Sequence, residues 1–523
     1  MTDDEAQGPG AGAVPHPPRR LSSGRQVRAL LDELAVCRAV GLTLASEGEI
    51  ALAGDGTPGV GPPALVPAEA LAQAWRDAVS PPGPYLVLCD AKAVLAWFHG
   101  RGLGAPRFGD VRVGHVLLAE RGAAAQASAR EILSEWGGLA LDAPTSLHAP
   151  EARHRYAAAA ARAQVEALRA MTPKLRALGL GPLFELECRV QVVVAAMERV
   201  GMPVDAAAFQ RVVDDWAAQR AKARDPARIA RLDKLLSTYG HWPRTFVDLD
   251  GRIRSHFDPL AADSGRFSCS EPNLQQVPTE RTAPGLRACF RAPPGRTFVV
   301  ADYAQIELRV AAALAPCEAL AAVFRGGGDP HRATAATLTG KAPEAVTKQE
   351  RTLAKAVNFG FLFGMGARTF RSYARASYGL DLDERAARQA KDAFFRTYPG
   401  LAAWHRRTAA LGRRPGPVTV RTRLGRRKRF EPGRFSLPSA LNIPVQGTAA
   451  EGFKRALVDL APRIAPLDGH IVLCVHDEIV VEVPEAAAKA ARAAVVRAMQ
   501  AGMAPLLGGI PVEVEAEVTP HWL

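Results

Sequence analysis

Apolar and polar positions fall into several distinct rhythms along this chain. Between about residues 29 and 178, short apolar runs such as Tyr85 to Cys89, YLVLC, alternate with helix-like stretches rich in Ala and Leu. That alternation predicts a small α/β domain. A longer helical rhythm follows in ECRVQVVVAAMERV, closed by Gly201 and Pro203, and another in RIARLDKLLSTY, capped by Gly240. Strand-like sequence returns in TFVVADY, residues 297–303. Further on, IVLCV and IVVEV flank His476, Asp477 and Glu478, a pattern that predicts a hairpin with its acids at the turn. A helix from about Pro484 to Met503 and the alternating strand PVEVEAEV come next. One sheet holding TFVVADY beside the hairpin would bring Asp302 and Asp477 together. Residues 1–28, rich in Gly, Pro and small polar side chains, lack the apolar surface to order themselves and predict a disordered lead.

Composition narrows the class. At 523 residues, 48% of them hydrophobic, the chain is long enough for two or three domains with sizeable cores. A formal net charge of +13 favours a polyanionic partner, since clustered cations release counterions from phosphates. The seven cysteines are scattered and form no CxxC pair, which argues against a disulfide framework or zinc site and for a reducing compartment. There is no apolar run of eighteen residues, and the start MTDDEAQGPG has neither the basic nor the apolar block of a signal peptide. The expectation is a cytoplasmic protein that does not engage a membrane.

Three constellations carry candidate chemistry. Asp302 and Asp477 each stand at the end of an apolar strand, an arrangement that holds oxygen ligands for a metal on rigid elements. In RTLAKAVNFGFLFGMG, Arg351, Lys355, Phe359 and Phe363 fall four apart, so a helix would align two cations and then two rings on one stripe. Such cations suit a triphosphate and such rings a base or sugar, although an amphipathic helix with core rings has the same spacing. Ten Lys or Arg and no acid occur from Arg406 to Arg429, broken by the β-like VTV. A folded surface for phosphate backbones accounts for that run better than a solvated tail.

As they stand, DYAQIELR at Asp302 and VHDE at Asp477 resemble the two metal-binding motifs of family A DNA polymerases, the group of bacterial DNA polymerase I. The resemblance covers about residues 179–523 and implies a right-hand polymerase fold, α+β with palm, fingers and thumb, preceded by a ribonuclease H-like α/β exonuclease domain. By it, Asp302 and Asp477 bind two Mg2+ ions, with Mn2+ as a substitute, and Glu478 assists them. Arg351 and Lys355 grip the incoming triphosphate, and Lys355 also protonates the pyrophosphate leaving group. Phe359, Phe363, Gln305 and Glu307 belong to the deoxynucleotide site, with Glu307 excluding a ribose 2′-OH, and His331 in GGDPHRATA is a further phosphate contact. DSGRFSCSEPNLQQVP resembles the family's primer segment and implies minor-groove contact by Arg266; LNIPVQGTAAE implies template-side contacts by Asn442 and Gln446. Minor-groove acceptors are nearly alike for every base pair, so these contacts test pair geometry without reading sequence. His476 lies by the primer strand, and Arg426 and Arg427 belong to the basic DNA surface.

Several positions depart from the family's pattern. Phe363 stands where the family usually has Tyr, whose hydroxyl would bond near Glu307. Pro438, four residues before Asn442, replaces a basic residue. The segment from Asp205 to Arg231 is far shorter than the family's thumb, which implies weak grip on the duplex and a few nucleotides added per encounter unless an accessory processivity protein supplies the hold. In the first domain RYAAAAARAQ keeps Tyr156 but has Ala160 where the exonuclease YAxxDA pattern has its acid. GLTLASEGEI lacks the initial acidic pair, and no acid follows Lys92 at the expected place, so proofreading is expected to be lost. Nothing resembles the separate 5′ nuclease domain.

The expected organisation is therefore a lead at 1–28, a vestigial exonuclease-like domain at 29–178, and a polymerase domain at 179–523. Within the last, the thumb takes about 186–245, the palm about 246–320 and 445–523, and the fingers about 321–444. The implied partners of this monomer are primer-template DNA and deoxynucleoside triphosphates. Two alternatives remain at this point, a single-subunit RNA polymerase and an inert duplex-binding protein built on the same frame. Glu307 argues against the first, and the joint presence of Asp302, Asp477, Arg351 and Lys355 against the second.

Overall fold

Residues 18–46, 48–58, 60–78, 84–119, 126–140 and 150–522 are described by the computed structural model. They form two compact units that divide between Leu178 and Gly179. Part of the expected disordered lead, residues 1–17, lies outside the described residues. The remainder is ordered, which corrects the expectation. Arg19–Arg20 form a strand, β1, and Gly24–Leu34 a helix, α1, opened by a capping box between Ser23 and Gln26. Its apolar stripe of Val27, Leu30, Leu31 and Leu34 is buried. A satisfied cap and a helical stripe outweigh the average composition of the segment.

The first unit is built on a mixed six-stranded sheet. Its other strands are β2 (Val40–Ser46), β3 (Glu49–Gly54), β4 (Ala64–Pro67), β5 (Leu86–Leu88) and β6 (Phe108–Asp110), in the spatial order β1-β4-β3-β2-β5-β6. The segment β2–β3–β4 is an antiparallel meander, while β5 runs parallel to β2 and β6 parallel to β5. A 28-residue helix, α2 (Pro150–Ala177), lies against this sheet through Ala157, Ala158, Ala160 and Ala161, all buried. The approach is close enough that a Cβ at Gly41 would come within 1.7 Å of the Ala161 carbonyl oxygen. Gln164 of α2 accepts the Leu42 N–H at 3.1 Å and donates to Thr43 Oγ1 at 3.0 Å, tying helix to strand.

The second unit begins with α3 (Gly181–Val200), ended by Gly201 at φ 74°, where a Cβ would be strained. Two helices follow, α4 (Ala206–Lys222) and α5 (Pro226–Tyr239), joined by only Ala223–Asp225. Strand β7 (Arg296–Tyr303) leads into α6 (Ile306–Leu314), and a helical stretch follows with α7 (Pro330–Thr339), α8 (Lys348–Leu362), α9 (Ala367–Tyr378), α10 (Glu384–Thr397) and α11 (Pro399–Leu411). The hairpin β8 (Val418–Arg421) and β9 (Arg427–Phe430) precedes a 28-residue helix, α12 (Leu437–Ile464). Strands β10 (His470–Val475) and β11 (Glu478–Pro484), helix α13 (Ala488–Met503) and strand β12 (Val514–Thr519) complete the unit.

An antiparallel sheet of order β10-β11-β7-β12 is its centre. One face carries Val299, Ala301 and Tyr303, all buried, as befits a strand covered by helices. Helices α12 and α13 cross so closely that a Cβ at Gly502 would meet the Gly452 carbonyl oxygen and the Ala456 nitrogen at 2.6 Å. Only a residue without Cβ permits that crossing. Among the described residues no helix is long and apolar enough to cross a membrane, and all seven cysteines are free.

A buried ionic cluster locks α3, α12 and the β8–β9 hairpin together. Lys454 donates to both oxygens of Glu187 at 2.8 Å and to the Pro259 carbonyl at 2.7 Å, and Arg426 also donates to Glu187. Arg426 is 4% exposed. The expected DNA contact by Arg426 is thereby corrected: its guanidinium neutralises a buried carboxylate that would otherwise be costly to desolvate.

Candidate active site

Strand pairing positions the acids. Asp302, near the end of β7, lies directly across from Glu478 on one neighbouring strand and from Glu515 on the other. Asp477 occupies the two-residue turn between β10 and β11, beside His476, whose φ of 56° is left-handed. Gln305, at φ 55°, makes the same kind of bend where β7 passes into α6. Left-handed residues other than glycine persist where their surroundings over-determine them, often at functional sites.

The two aspartates are electrostatically unsatisfied. Asp302 opens toward solvent on one side. Burial on its other sides, then the charge of Glu478, push its carboxyl up to about 6. Asp477 is pushed up to about 7 by burial and then by Asp302, with Arg266 opposing. Burial also raises Glu478, against a hydrogen bond from the Trp522 indole N–H at 2.8 Å. Crowded carboxylates that resist ionisation are relieved by a bound cation. An all-oxygen set suits hard ions such as Mg2+ and Mn2+. Among the described residues no group of three or more His, Cys, Asp or Glu has metal-holding geometry. Two aspartates with an open side nevertheless fit an ion that keeps water and substrate oxygens among its ligands.

Around this pair the chain gathers a polar floor. Glu307, in the first turn of α6, accepts from Arg266 Nη2 at 2.6 Å and from Gln446 Nε2 at 3.1 Å. Arg266 and Glu307 both act on Asp477 and on His476. Burial first, then Arg266, holds His476 below the usual imidazole range. Arg266 follows Gly265, where a Cβ would lie 2.5 Å from Arg426 Nε. The buried cluster and the floor are thus joined at one glycine.

A second group lies on the helices. Arg351, Phe359 and Phe363 of the α8 stripe are half-buried and Lys355 is exposed, whereas Ala354, Val357, Phe361 and Leu362 face the core. The stripe is an open face. Arg351 Nε donates to Asp329 at 2.5 Å, and Asp329 also caps α7 by accepting the His331 N–H at 2.8 Å. His331 is 1% exposed, its Nδ1 3.0 Å from Asn358 Nδ2 and its ring 5.8 Å from that of Phe359. Burial, only partly offset by Asp329, pushes its imidazole down to about 4. The ring is therefore neutral and packed inward, not open as a phosphate contact.

Asn442 and Gln446, one turn apart on α12, are both half-buried. Asn442 lines a recess of about 380 Å³ with Asp263, Ser264, Phe363, Pro438, Ser439 and Ile443. Lys428 of β9 pairs with Asp263 at 2.5 Å, and Arg427 is half-buried on the same strand. The rest of the basic run, Arg406, Arg407, Arg413, Arg414, Arg421, Arg423 and Arg429, is exposed. Sequence reasoning did not single out Asp329, Asn358 or Trp522. Asp329 had a signal, since Asp before Pro330 reads as a helix cap.

Comparison with known proteins agrees with this architecture. The fold matches the solved POL domain of Pol1 from M. smegmatis, determined as a complex with DNA primer-template and dNTP, with a TM-score of 0.83, 22% identity, and coverage of 97% of this chain and 99% of that one. Sheet, aspartate pair and cation-bearing helix therefore sit on a polymerase-domain fold. Residues 196–523 match DNA polymerase family A. The thermostable DNA polymerase I of Thermus filiformis is 42% identical over 304 residues, 56% of this chain and 35% of the relative. DNA polymerase I of Aquifex aeolicus (strain VF5) is 35% identical over 275 residues, 52% of this chain and 46% of the relative. The chain spans less than half the length of these relatives, yet the family match covers well over half of its own residues; it belongs to DNA polymerase family A.

Proposed function

We propose that the chain is a template-directed DNA polymerase that adds deoxynucleoside monophosphates to a primer 3′-OH and releases pyrophosphate. The observation that carries this reading is the neighbouring pair Asp302 and Asp477, whose carboxyls are both raised by burial and by nearby acids. Bound there, two divalent ions, Mg2+ or in its place Mn2+, would neutralise charge on the phosphate under attack. Arg351 and Lys355 would bind the triphosphate, and Lys355 would deliver a proton to the leaving pyrophosphate. Phe359 and Phe363 would bear on base and sugar. Glu307, fixed by Arg266 and Gln446, would exclude a ribose 2′-OH. Arg266, Asn442 and His476 would hold the terminal base pair, with Arg427 and the exposed cations near it on the phosphate backbone.

On this reading residues 186–245 are the thumb, 246–320 and 445–523 the palm, and 321–444 the fingers. The first unit is a degenerate exonuclease fold. Its α2 lies directly on the sheet at Gly41 and Ala161, and Ala160 is buried. Of its acids, Asp110 is committed to the N–H groups of Asp90, Ala91 and Arg112. Seven free thiols favour a reducing cytoplasm, and we read the enzyme as a monomer that draws on an accessory protein for long products.

One assay on a primed, mismatched and matched template tests these points together. Extension with deoxynucleotides, a few per encounter at moderate salt, and no metal-dependent loss of the mismatched end are expected. No extension with any divalent ion would refute the polymerase, a preference for ribonucleotides would favour the RNA-synthesising alternative, and long single-encounter products would refute the weak thumb.

A further inference from the structure

We propose that Trp522 is a positioning residue of the aspartate site, acting through Glu478. Trp522 is 0% exposed, and its indole N–H donates to Glu478 Oε1 at 2.8 Å. The indole is itself immobilised. Its ring stands edge-on to Phe290 with centroids 5.5 Å apart, and the Arg287 guanidinium carbon lies 4.2 Å from its centroid on the ring face. The Trp522 backbone N–H donates to the Phe290 carbonyl at 2.9 Å, and the Ala292 N–H donates to the Pro520 carbonyl at 3.0 Å, so the segment is fixed on both sides.

What this rigid donor holds matters because of where Glu478 stands. The residue follows Asp477 in the chain and faces Asp302 across the sheet. A glutamate there has enough reach to turn toward either aspartate. An indole N–H on an immobile ring donates in one direction only, so it holds Glu478 Oε1 at one place beside the aspartates. Arg287, stacked on the same ring, holds the indole from its face, and with Phe290 it keeps the N–H in that one direction. Trp522 therefore fixes the direction of Glu478, so that Asp302 and Asp477 remain the two carboxylates free to take a cation. Partners of this kind, one bond removed from the ligands, commonly control metal affinity.

The inference rests on the reading of Asp302 and Asp477 as metal ligands, and Mn2+ binding to the full chain tests the two separately. Free Mn2+ would be followed by electron paramagnetic resonance for the wild type, Asp302→Asn, Trp522→Phe, Glu478→Gln and the last two combined. Trp522→Phe is expected to weaken Mn2+ binding roughly tenfold, while in the Glu478→Gln background the same change should add less than twofold. Replacing Trp522 by benzothienylalanine, which keeps the ring's shape without the N–H, should weaken binding as Trp522→Phe does even if the phenylalanine variant folds poorly. Wild-type affinity in both variants, or an equal loss in the Glu478→Gln background, would overturn the role of Trp522. Wild-type binding that survives Asp302→Asn would instead overturn the metal-site reading, and this inference with it.

Discussion

Replacing Asp329 by asparagine should tighten nucleotide binding. In the structure Asp329 holds Arg351, the cation proposed to bind the triphosphate, its Oδ2 2.5 Å from Arg351 Nε. Burial alone would raise its carboxyl, but the bond from Arg351 and that from the His331 N–H keep it below the usual carboxylate range. Asparagine preserves the cap on α7, because its side-chain oxygen still accepts the His331 N–H. It removes only the charge that competes for Arg351. The side chains are 38% and 21% exposed, so the pair lies between a surface ion pair, about 0.2–1 kcal/mol, and a well-shielded charged hydrogen bond, about 1.5–3 kcal/mol. Taking about 1–2 kcal/mol, a nucleotide spared this displacement should bind about 5- to 30-fold more tightly. The measurement is the dissociation constant of the correct deoxynucleotide on a chain-terminated primer-template, at two salt concentrations. The gain should shrink at high salt, where the native pair is already screened. Unchanged or weaker binding at low salt would refute the reasoning and make Asp329 an organiser of Arg351 instead of its competitor.

By the family resemblance a Phe363→Tyr hydroxyl would bond near Glu307, and a hydrogen bond of about 1 kcal/mol should improve discrimination against ribonucleotides about fivefold; equal ribonucleotide incorporation by both proteins would contradict this. Lys454→Met leaves Glu187 with Arg426 alone and the Pro259 carbonyl without its donor, a loss of about 3–5 kcal/mol that should lower the thermal midpoint by several degrees. Adding Glu187→Leu strips the buried Arg426 of the same carboxylate and should recover none of it; a double variant as stable as the wild type would count against the cluster. Burial, only partly offset by Glu187, lowers Lys454 from 10.5 to about 8. Between those values the unfolded chain binds the extra proton, so this group's contribution to stability rises with pH. That rise should be absent from the Lys454→Met stability curve and so appear in the wild-type-minus-variant difference.

Legibility in the sequence followed the range of the interaction. The α8 stripe was readable because spacing of four on one helix is a local property, and the open face at Arg351, Lys355, Phe359 and Phe363 follows from it. The β10–β11 hairpin was equally plain, since two apolar runs flank its acids. Arg426 was misread because its neighbours in the chain are exposed cations, while the residue that turns it inward, Glu187, is 239 positions away. Trp522 carried no pattern at all. Its partner Glu478 is 44 positions distant and meets it only through the sheet. The order at Arg19–Arg20 and in α1 was hidden by averaging a capped amphipathic helix with the Gly- and Pro-rich stretch before it.

The central claim is that Asp302 and Asp477 together form the centre for DNA synthesis. Its most direct test is extension of a matched primer by the wild type, Asp302→Asn and Asp477→Asn, with thermal midpoint and duplex affinity recorded for each. The account predicts extension by the wild type and its near-complete loss in both variants, with folding retained and duplex binding undiminished. Extension at the wild-type rate by either folded variant would contradict it.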